Sequence, residues 1–381
     1  MGGHAFPGLD IPRLSPEEYA TIREKCVAVL CNFYEQVVCA PEAPEKTDHG
    51  DVDILVSVPR KSINIEDLGA NLEAIRRTRV GVTTSFAIPH PTKENAYAQV
   101  DTHACREGYL EWELWMAGYG DLVQILGVLN RSIGLTMNDK GLHVRIPEIE
   151  PTNRKSSMIY LTNEVDMVMN FLGLSVEEYR QGFSTMEQLF AWCASGRFFG
   201  HDNGKTDHEE NMVNISANDR KRLKQRPMFS KFYKEWVPTH SSAFKNEQKT
   251  PREAVLQEAI KFFCVEAKYN EAISLWREQE EEQTVLQVIR EAIPEEGERL
   301  TQAVRGVKRW TTFQDGKPIL RAETDPSDPA NTPWLRELKG DRMDIFLKWV
   351  TENCPELRSR EKKRAAAQSK KPRINMEHIR N

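Results

Sequence analysis

Asp51 and Asp53 stand two residues apart in the run Lys46–Arg60, KTDHGDVDILVSVPR, which otherwise has the make-up of a buried strand. Val52, Ile54, Val56 and Val58 share one phase of the two-residue period. Asp51, Asp53 and Leu55 share the other, so on a strand both carboxylates point the same way. Their Cα atoms would then lie about 6.5 to 7 Å apart, close enough for oxygens from both to reach one divalent cation. A second run, Ala96–His103, can bring Asp101 beside them on a neighbouring strand. Three hard oxygen donors suit Mg2+ or Mn2+, ions that bridge phosphate oxygens and activate an attacking hydroxyl. The chemistry this equips is phosphoryl transfer.

The flanking sequence must position those strands. Ser15-Pro16-Glu17-Glu18 reads as an N-cap, a proline at the first helical position and a capping-box glutamate. Tyr19, Ile22, Cys26, Val29, Leu30, Phe33 and Val37 then continue one apolar face, which predicts a helix to about residue 38. Residues 66–79 have helical spacing through Leu68, Leu72 and Ile75, and 82–88 read as a strand stopped by Pro89 and Pro91. A helical face follows from Tyr109 to Leu129, bent at Gly118 and Gly120, with Asp121 a candidate catalytic carboxylate but better placed to cap the Leu122–Leu129 half. A hairpin is expected across Asn138-Asp139-Lys140-Gly141. Beyond the polar stretch 147–157, helical patterns dominate: 165–172, 175–179, a capped segment from Ser184, 217–236, a helix opened by Pro251, and 272–293. Residues 200–216 read as an exposed loop and 312–332 as a turn-rich connector. Trp334–Leu338 and Met343–Val350 are short amphipathic pieces. From Glu356 the chain is basic, with Arg358, Arg360, Lys362, Lys363, Arg364, Lys370, Lys371 and Arg373, and without a long apolar face. It is expected to be disordered, as a solubilising tail or a polybasic targeting or nucleic-acid segment.

The segments Gly50–Leu55 (GDVDIL) and Val100-Asp101-Thr102 resemble the paired and third carboxylate motifs of the nucleotidyltransferase superfamily, the DNA polymerase beta-like group that includes poly(A) polymerases and CCA-adding enzymes. That likeness spans roughly residues 15–110. More narrowly, Trp112-Glu113-Leu114, Tyr119–Leu122, Ile125–Gly127, Gly134–Thr136 and Gly141–Pro147 resemble an uncharacterised fungal group of nucleotidyltransferase-like proteins, through about residue 240. The resemblance implies an α+β nucleotidyltransferase-like mixed sheet with helices over 1–150. A mainly helical domain over 151–355 and the basic tail 356–381 would follow. It also implies that Asp51 and Asp53 hold the ion that accompanies an NTP. Asp101 would help hold a second ion and orient or deprotonate the acceptor hydroxyl, with pyrophosphate leaving. The acceptor is unassigned, RNA being one class. The chain departs from the superfamily at Phe33–Glu45, where a Gly-Ser or Gly-Gly-Ser turn is usual and no glycine is present. Glycine permits the tight turn and close backbone approach that a phosphate cradle needs. An inactive scaffold that binds nucleotide, nucleic acid or protein is therefore the alternative expectation.

Other candidates are weaker. Arg60, Lys61 and Lys93 could neutralise nucleotide phosphates or simply face solvent. His49 and His103 flank the carboxylates and each could be an additional ligand, but they lack a compact zinc spacing and read rather as surface or supporting residues. The bases of 218–226, followed by Phe229, Phe232, Tyr233 and Trp236, could grip phosphates and stack bases, or form a charged helix face over an aromatic core. No P-loop or dinucleotide fingerprint occurs. The 381 residues are 39% hydrophobic and 29% charged, with 52 Lys and Arg against 57 Asp and Glu, so global charge gives a nucleic-acid partner no support. No apolar run reaches the length of a membrane span. The seven scattered cysteines favour a reducing compartment and mostly core roles, which places the protein inside the cell, in cytoplasm or nucleus.

Overall fold

The structure, a computed structural model, describes residues 3–199, 217–240, 250–323, 337–338 and 342–369. Helix α1 (Pro16–Leu30) starts as its sequence dictates: Glu18 N donates to Ser15 Oγ at 3.2 Å, and Ser15 N donates to Glu18 Oε2 at 2.8 Å. It ends at Leu30, short of the expected residue 38. Strand β1 (Tyr34–Cys39) follows and pairs antiparallel with β2 (Val52–Pro59), setting Cys39 opposite Ile54. Phe33 and Val37 fit a helical apolar face, but as a strand this segment satisfies the outer backbone groups of β2, which a longer helix would leave open.

The same substitution of strand for helix occurs at 66–79. Here α2 (Ile65–Asn71) is capped by Asn64 and gives way to β3 (Arg76–Val80), which hairpins into β4 (Thr83–Pro89). Strand β4 turns back into β5 (Tyr97–Ala104), and β5 lies parallel to β2. The resulting five-stranded sheet has the order β1-β2-β5-β4-β3. One face is apolar. Val52, Ile54, Val56, Phe86, Ile88, Ala98 and Val100 bury against Tyr19, Ile22, Cys26 and Leu30 of α1 and Leu68 of α2. Asp53, Ser85, Gln99, Asp101 and His103 belong to the opposite face.

That second face is partly roofed by α3 (Leu110–Ala117), with Trp112 and Trp115 fully buried; α4 (Leu122–Arg131) continues the layer. The expected hairpin is present between β6 (Leu135–Asn138) and β7 (Gly141–Arg145), and β8 (Met158–Thr162) completes a three-stranded antiparallel sheet. Gly141, at φ +135°, is required there because a Cβ would collide with the Thr162 carbonyl. Helices α5 (Val165–Leu172), α6 (Val176–Gln181) and α7 (Met186–Ser195) follow. After them come α8 (Ala217–Gln225), α9 (Pro227–Lys231), a π-helical turn (Phe232–Trp236), α10 (Val237–His240) and α11 (Arg252–Phe262). The loop expected at 200–216 lies outside the described residues. Mixed sheet and helices together make this an α+β fold with a helical C-terminal region, as expected.

Two compact units divide the chain, residues 1–269 and 270–381. Helix α12 (Glu266–Ala292) begins in the first. The second contains α13 (Gly297–Trp310), a hairpin of β9 (Thr311–Gln314) and β10 (Lys317–Leu320), and α14 (Arg342–Ser369). Its core joins Leu286, Ile289, Val304, Val307, Phe346, Val350 and Leu357. Gly306 lets α13 approach α14, since a Cβ at that position would sit 2.5 Å from the Leu357 carbonyl oxygen. Two expectations are corrected here. The start of the 312–332 connector is the β9–β10 hairpin, and the tail expected to be disordered from residue 356 is helical to Ser369. Leu357 supplies the reason by filling the core, and buried Glu361 receives Arg364 at 2.7 Å and Arg309 at 3.4 Å. Residues 324–336 and the tail bases Lys370, Lys371 and Arg373 lie outside the described residues.

Candidate metal centre

The parallel register of β2 and β5 sets Asp53 directly opposite Asp101, and Asp51 stands one residue before β2. Because each strand alternates faces, this register puts all three side chains on the solvent side of the sheet, away from α1. Carboxylate oxygens of Asp51, Asp53 and Asp101 lie within 4.8 Å of one another. None of the three forms an ion pair among the described residues. The sequence therefore named the three carboxylates that the fold brings together.

Asp101 is aimed by its neighbours. Gln99 Nε2 donates to its two oxygens at 3.0 and 3.1 Å, and Ser85, opposite on β4, adds a hydrogen bond. The Gln99 amide is itself oriented from behind, for its Oε1 accepts from Ala5 N at 2.9 Å. With its acceptor end occupied by a backbone donor, the amide can present only its NH2 group to the carboxylate. Residues 3–14 run as a strap along this edge. Tyr97 N donates to Asp10 O at 2.9 Å, Leu14 bridges His49, and a Cβ on Gly3 would fall 2.7 Å from the Gly50 carbonyl oxygen.

Electrostatics mark the site as short of positive charge. Burial pushes the Asp53 carboxyl up to about 7, the charges of Asp51, Asp101 and Glu42 add to the shift, and Lys46 opposes it. Asp101 is also raised, by burial first, against the hydrogen bonds from Ser85 and Gln99. Asp53 keeps an opening to solvent although protein crowds around it, so its repulsions are partly screened. The nearby bases are engaged elsewhere: Lys46 pairs with Glu42, and Arg13 with Asp48 at 2.5 Å. An oxygen-only donor set with uncompensated charge fits a hard divalent ion such as Mg2+ or Mn2+.

The basic candidates are placed otherwise. Arg60 and Lys61 follow the far end of β2, seven and eight residues beyond Asp53; seven strand residues amount to about 23 Å. Arg60 Nε donates to the carbonyls of Cys31 and Tyr34, so it fastens the end of α1 to β1 instead of meeting a ligand at the carboxylates. Lys93 lies in the β4–β5 turn, where its backbone N donates to His90 Nδ1 at 3.2 Å. His49 is a supporting residue, stacked on Tyr19 at 3.9 Å between ring centroids. His103 has partners that sequence spacing did not reveal: Nε2 lies 2.9 Å from Glu113 Oε2 on α3, and Nδ1 lies 2.8 Å from Thr83 Oγ1.

Asp121 occupies the N-cap position of α4 but makes no side-chain cap bond. Its buried carboxylate instead accepts from Arg226 at 2.6 Å and from Phe229 N at 3.3 Å, tying α4 to α9. Phe229, Phe232 and Trp236 are buried and Tyr233 donates to Ile125 O at 3.1 Å. Phe229, Phe232 and Trp236 are core, unavailable for stacking on bases, and Tyr233 is half-buried. The glycine-free stretch before the carboxylates forms β1 and a loop whose Pro41 carbonyl accepts from Tyr119 N at 2.6 Å.

No family model matches the chain, and none of the curated proteins matches it. Among solved structures, it is similar to a crystal structure of Leishmania infantum polymerase beta in a ternary P/T complex. The two share 17% identity at a TM-score of 0.31, over 43% of this chain and 74% of that one. The strand order and the carboxylate register stand independently of that likeness. Among the described residues, no helix is long and apolar enough to cross a membrane.

Proposed function

We propose that residues 1–150 carry a metal-dependent nucleotidyltransferase activity, moving a nucleoside monophosphate from an NTP to an acceptor hydroxyl, with RNA the first acceptor class to test. The observation that carries this reading is the convergence of Asp51, Asp53 and Asp101 from two adjacent strands on an open face. Bound Mg2+ or Mn2+ would supply charge neutralisation at the phosphates and acidify the attacking hydroxyl. Asp51 and Asp53 would hold the ion that accompanies the triphosphate. Asp101, steadied by Gln99 and Ser85, would hold a second ion and receive or direct the hydroxyl proton. Residues 112–147 build most of α3, all of α4 and the β6–β7 hairpin.

Full-length protein incubated with each α-labelled NTP, Mg2+ or Mn2+ and an RNA pool should transfer label to RNA and release pyrophosphate, and Asp53→Asn should abolish both. A specific observation favours the second reading, a nucleotide-binding scaffold without turnover: Phe33–Glu45, the segment for which the superfamily resemblance implies a glycine turn, has no glycine and forms β1 and the Pro41 loop. Metal-dependent nucleotide binding with no transfer for any NTP or acceptor pool would favour that scaffold.

A further inference from the structure

His103, Cys105 and Glu113 are a second cluster of metal-ligating side chains, and the carboxylate site does not use them. Their donor atoms, one each of imidazole nitrogen, thiol sulfur and carboxylate oxygen, lie within 4.8 Å of one another. Alternation along β5 carries His103 up the same face as Asp101, Cys105 follows just past the strand end with its N donating to Val56 O at 2.8 Å, and Glu113 of α3 joins them. All three are half-buried, which leaves the cluster shielded but open to solvent on one side.

We propose that His103, Cys105 and Glu113 bind one borderline divalent ion of the zinc class, at a site chemically distinct from the all-oxygen carboxylate centre. Sulfur, nitrogen and a single oxygen are the donors such an ion selects and that Mg2+ does not. Tetrahedral bond lengths of about 2.0 to 2.3 Å place ligand atoms roughly 3.3 to 3.6 Å apart, so small side-chain movements close the site. The contact at 2.9 Å between His103 Nε2 and Glu113 Oε2 would open to admit the ion in place of the shared proton. Thr83 Oγ1, 2.8 Å from Nδ1, is the outer partner that fixes a metal-bound imidazole in the Nε2-ligating tautomer.

Arg106 is the competing cation. It approaches the other carboxylate oxygen, Glu113 Oε1, at 3.7 Å, and its guanidinium is spent on the Tyr109 ring at 4.0 Å and on the Asp139 carbonyl. Oε2 is left to the cluster. Binding would release to solvent both the thiol proton of Cys105 and the proton shared by His103 and Glu113, and form a metal–thiolate bond, with a water in the fourth position. The ion would clamp α3 to the end of β5, with His103 and Cys105 two and four residues beyond Asp101.

Co2+ is the probe, because a thiolate–Co2+ charge-transfer band in the near ultraviolet cannot arise from carboxylates. Chelator-stripped full-length protein in saturating Mg2+ should develop that band, with intense four-coordinate visible bands, at one equivalent of Co2+, and Zn2+ should bleach both. Cys105→Ser should remove the charge-transfer band, and Glu113→Gln should weaken Co2+ at least tenfold. Asp53→Asn should leave it unchanged, which separates this site from the carboxylate centre. Absence of the band in the parent protein, or its survival in Cys105→Ser, overturns the proposal. His103→Ala serves as the second variant should Cys105→Ser fail circular dichroism as a folded protein, and an unaltered band in it is equally decisive against the site.

Discussion

Replacing Asp53 by Asn should stabilise the metal-free protein while destroying its response to Mg2+. Three carboxylates with oxygens within 4.8 Å form three repelling pairs, and the substitution removes two. At that separation each pair costs roughly 0.9 kcal/mol at the dielectric of water and about 3.5 kcal/mol at an effective value of 20. Asp53 opens to solvent, so the lower figure governs, and the gain is about 2 kcal/mol at pH 8. For a unit of this size that corresponds to a rise in Tm of about 4 to 8 °C. The pH dependence has a fixed sign. With its carboxyl raised to about 7, folded Asp53 still holds a proton that the unfolded chain has released, so stability falls as pH climbs between roughly 4 and 7 and stays low above that. Asp53→Asn should flatten this fall. Calorimetry in EDTA and in 10 mM-range Mg2+, at pH 5 and pH 8, reads all of these effects, since a cation that binds the native site raises Tm by mass action. The reasoning is refuted if Asp53→Asn lowers Tm in EDTA at pH 8, or if Mg2+ stabilises parent and variant equally.

Gln99→Leu removes both amide hydrogen bonds to Asp101 and strands Ala5 N. Mg2+ affinity measured by titration calorimetry should drop about tenfold, as for other losses of an orienting partner. Asp121→Ala deprives Arg226 and Phe229 N of their shared acceptor and should cost roughly 1 to 3 kcal/mol in urea unfolding, with no change in Mg2+ affinity. Gly306→Val drives a side chain into the Leu357 carbonyl and should destabilise the second unit by about 1 to 3 kcal/mol, seen as an earlier melt of part of the helical circular dichroism.

The carboxylate site was legible because a strand that buries Val52, Ile54 and Val56 leaves Asp51 and Asp53 only one side to occupy, and β5 repeats the pattern around Asp101. The capping box at Ser15 and the turn at Asn138–Gly141 were legible for similar local reasons. Strands β1 and β3 were not. Residues of β1 also fit a helical apolar spacing, and β3 (RRTRV) merely continues the one set by Leu68, Leu72 and Ile75; what decides between the two states is pairing with strands β2 and β4, which local sequence does not encode. The orienting network escaped for the same reason: Gln99 matters through Ala5, about ninety residues away, and no spacing rule connects them. His103 and Cys105 did carry a signal, a His-x-Cys alternation continuing the Asp101 face, but Glu113 joins them only once α3 folds over the sheet. The aromatic run after Arg226 reads the same whether it stacks on bases or on itself; burial of Phe232 and Trp236 settled it.

The pairing of β2 with β5 also fixes when the site comes into being. Locally closed pieces, the β1–β2 hairpin and the β3–β4–β5 meander, can each form early, yet Asp53 and Asp101 meet only when these two pieces dock in parallel across about fifty intervening residues. A cation that needs both carboxylates has nothing to hold before that step. In stopped-flow experiments Mg2+ should therefore slow unfolding while leaving the refolding rate untouched, so the ion acts as a latch on the finished molecule and takes no part in assembling it.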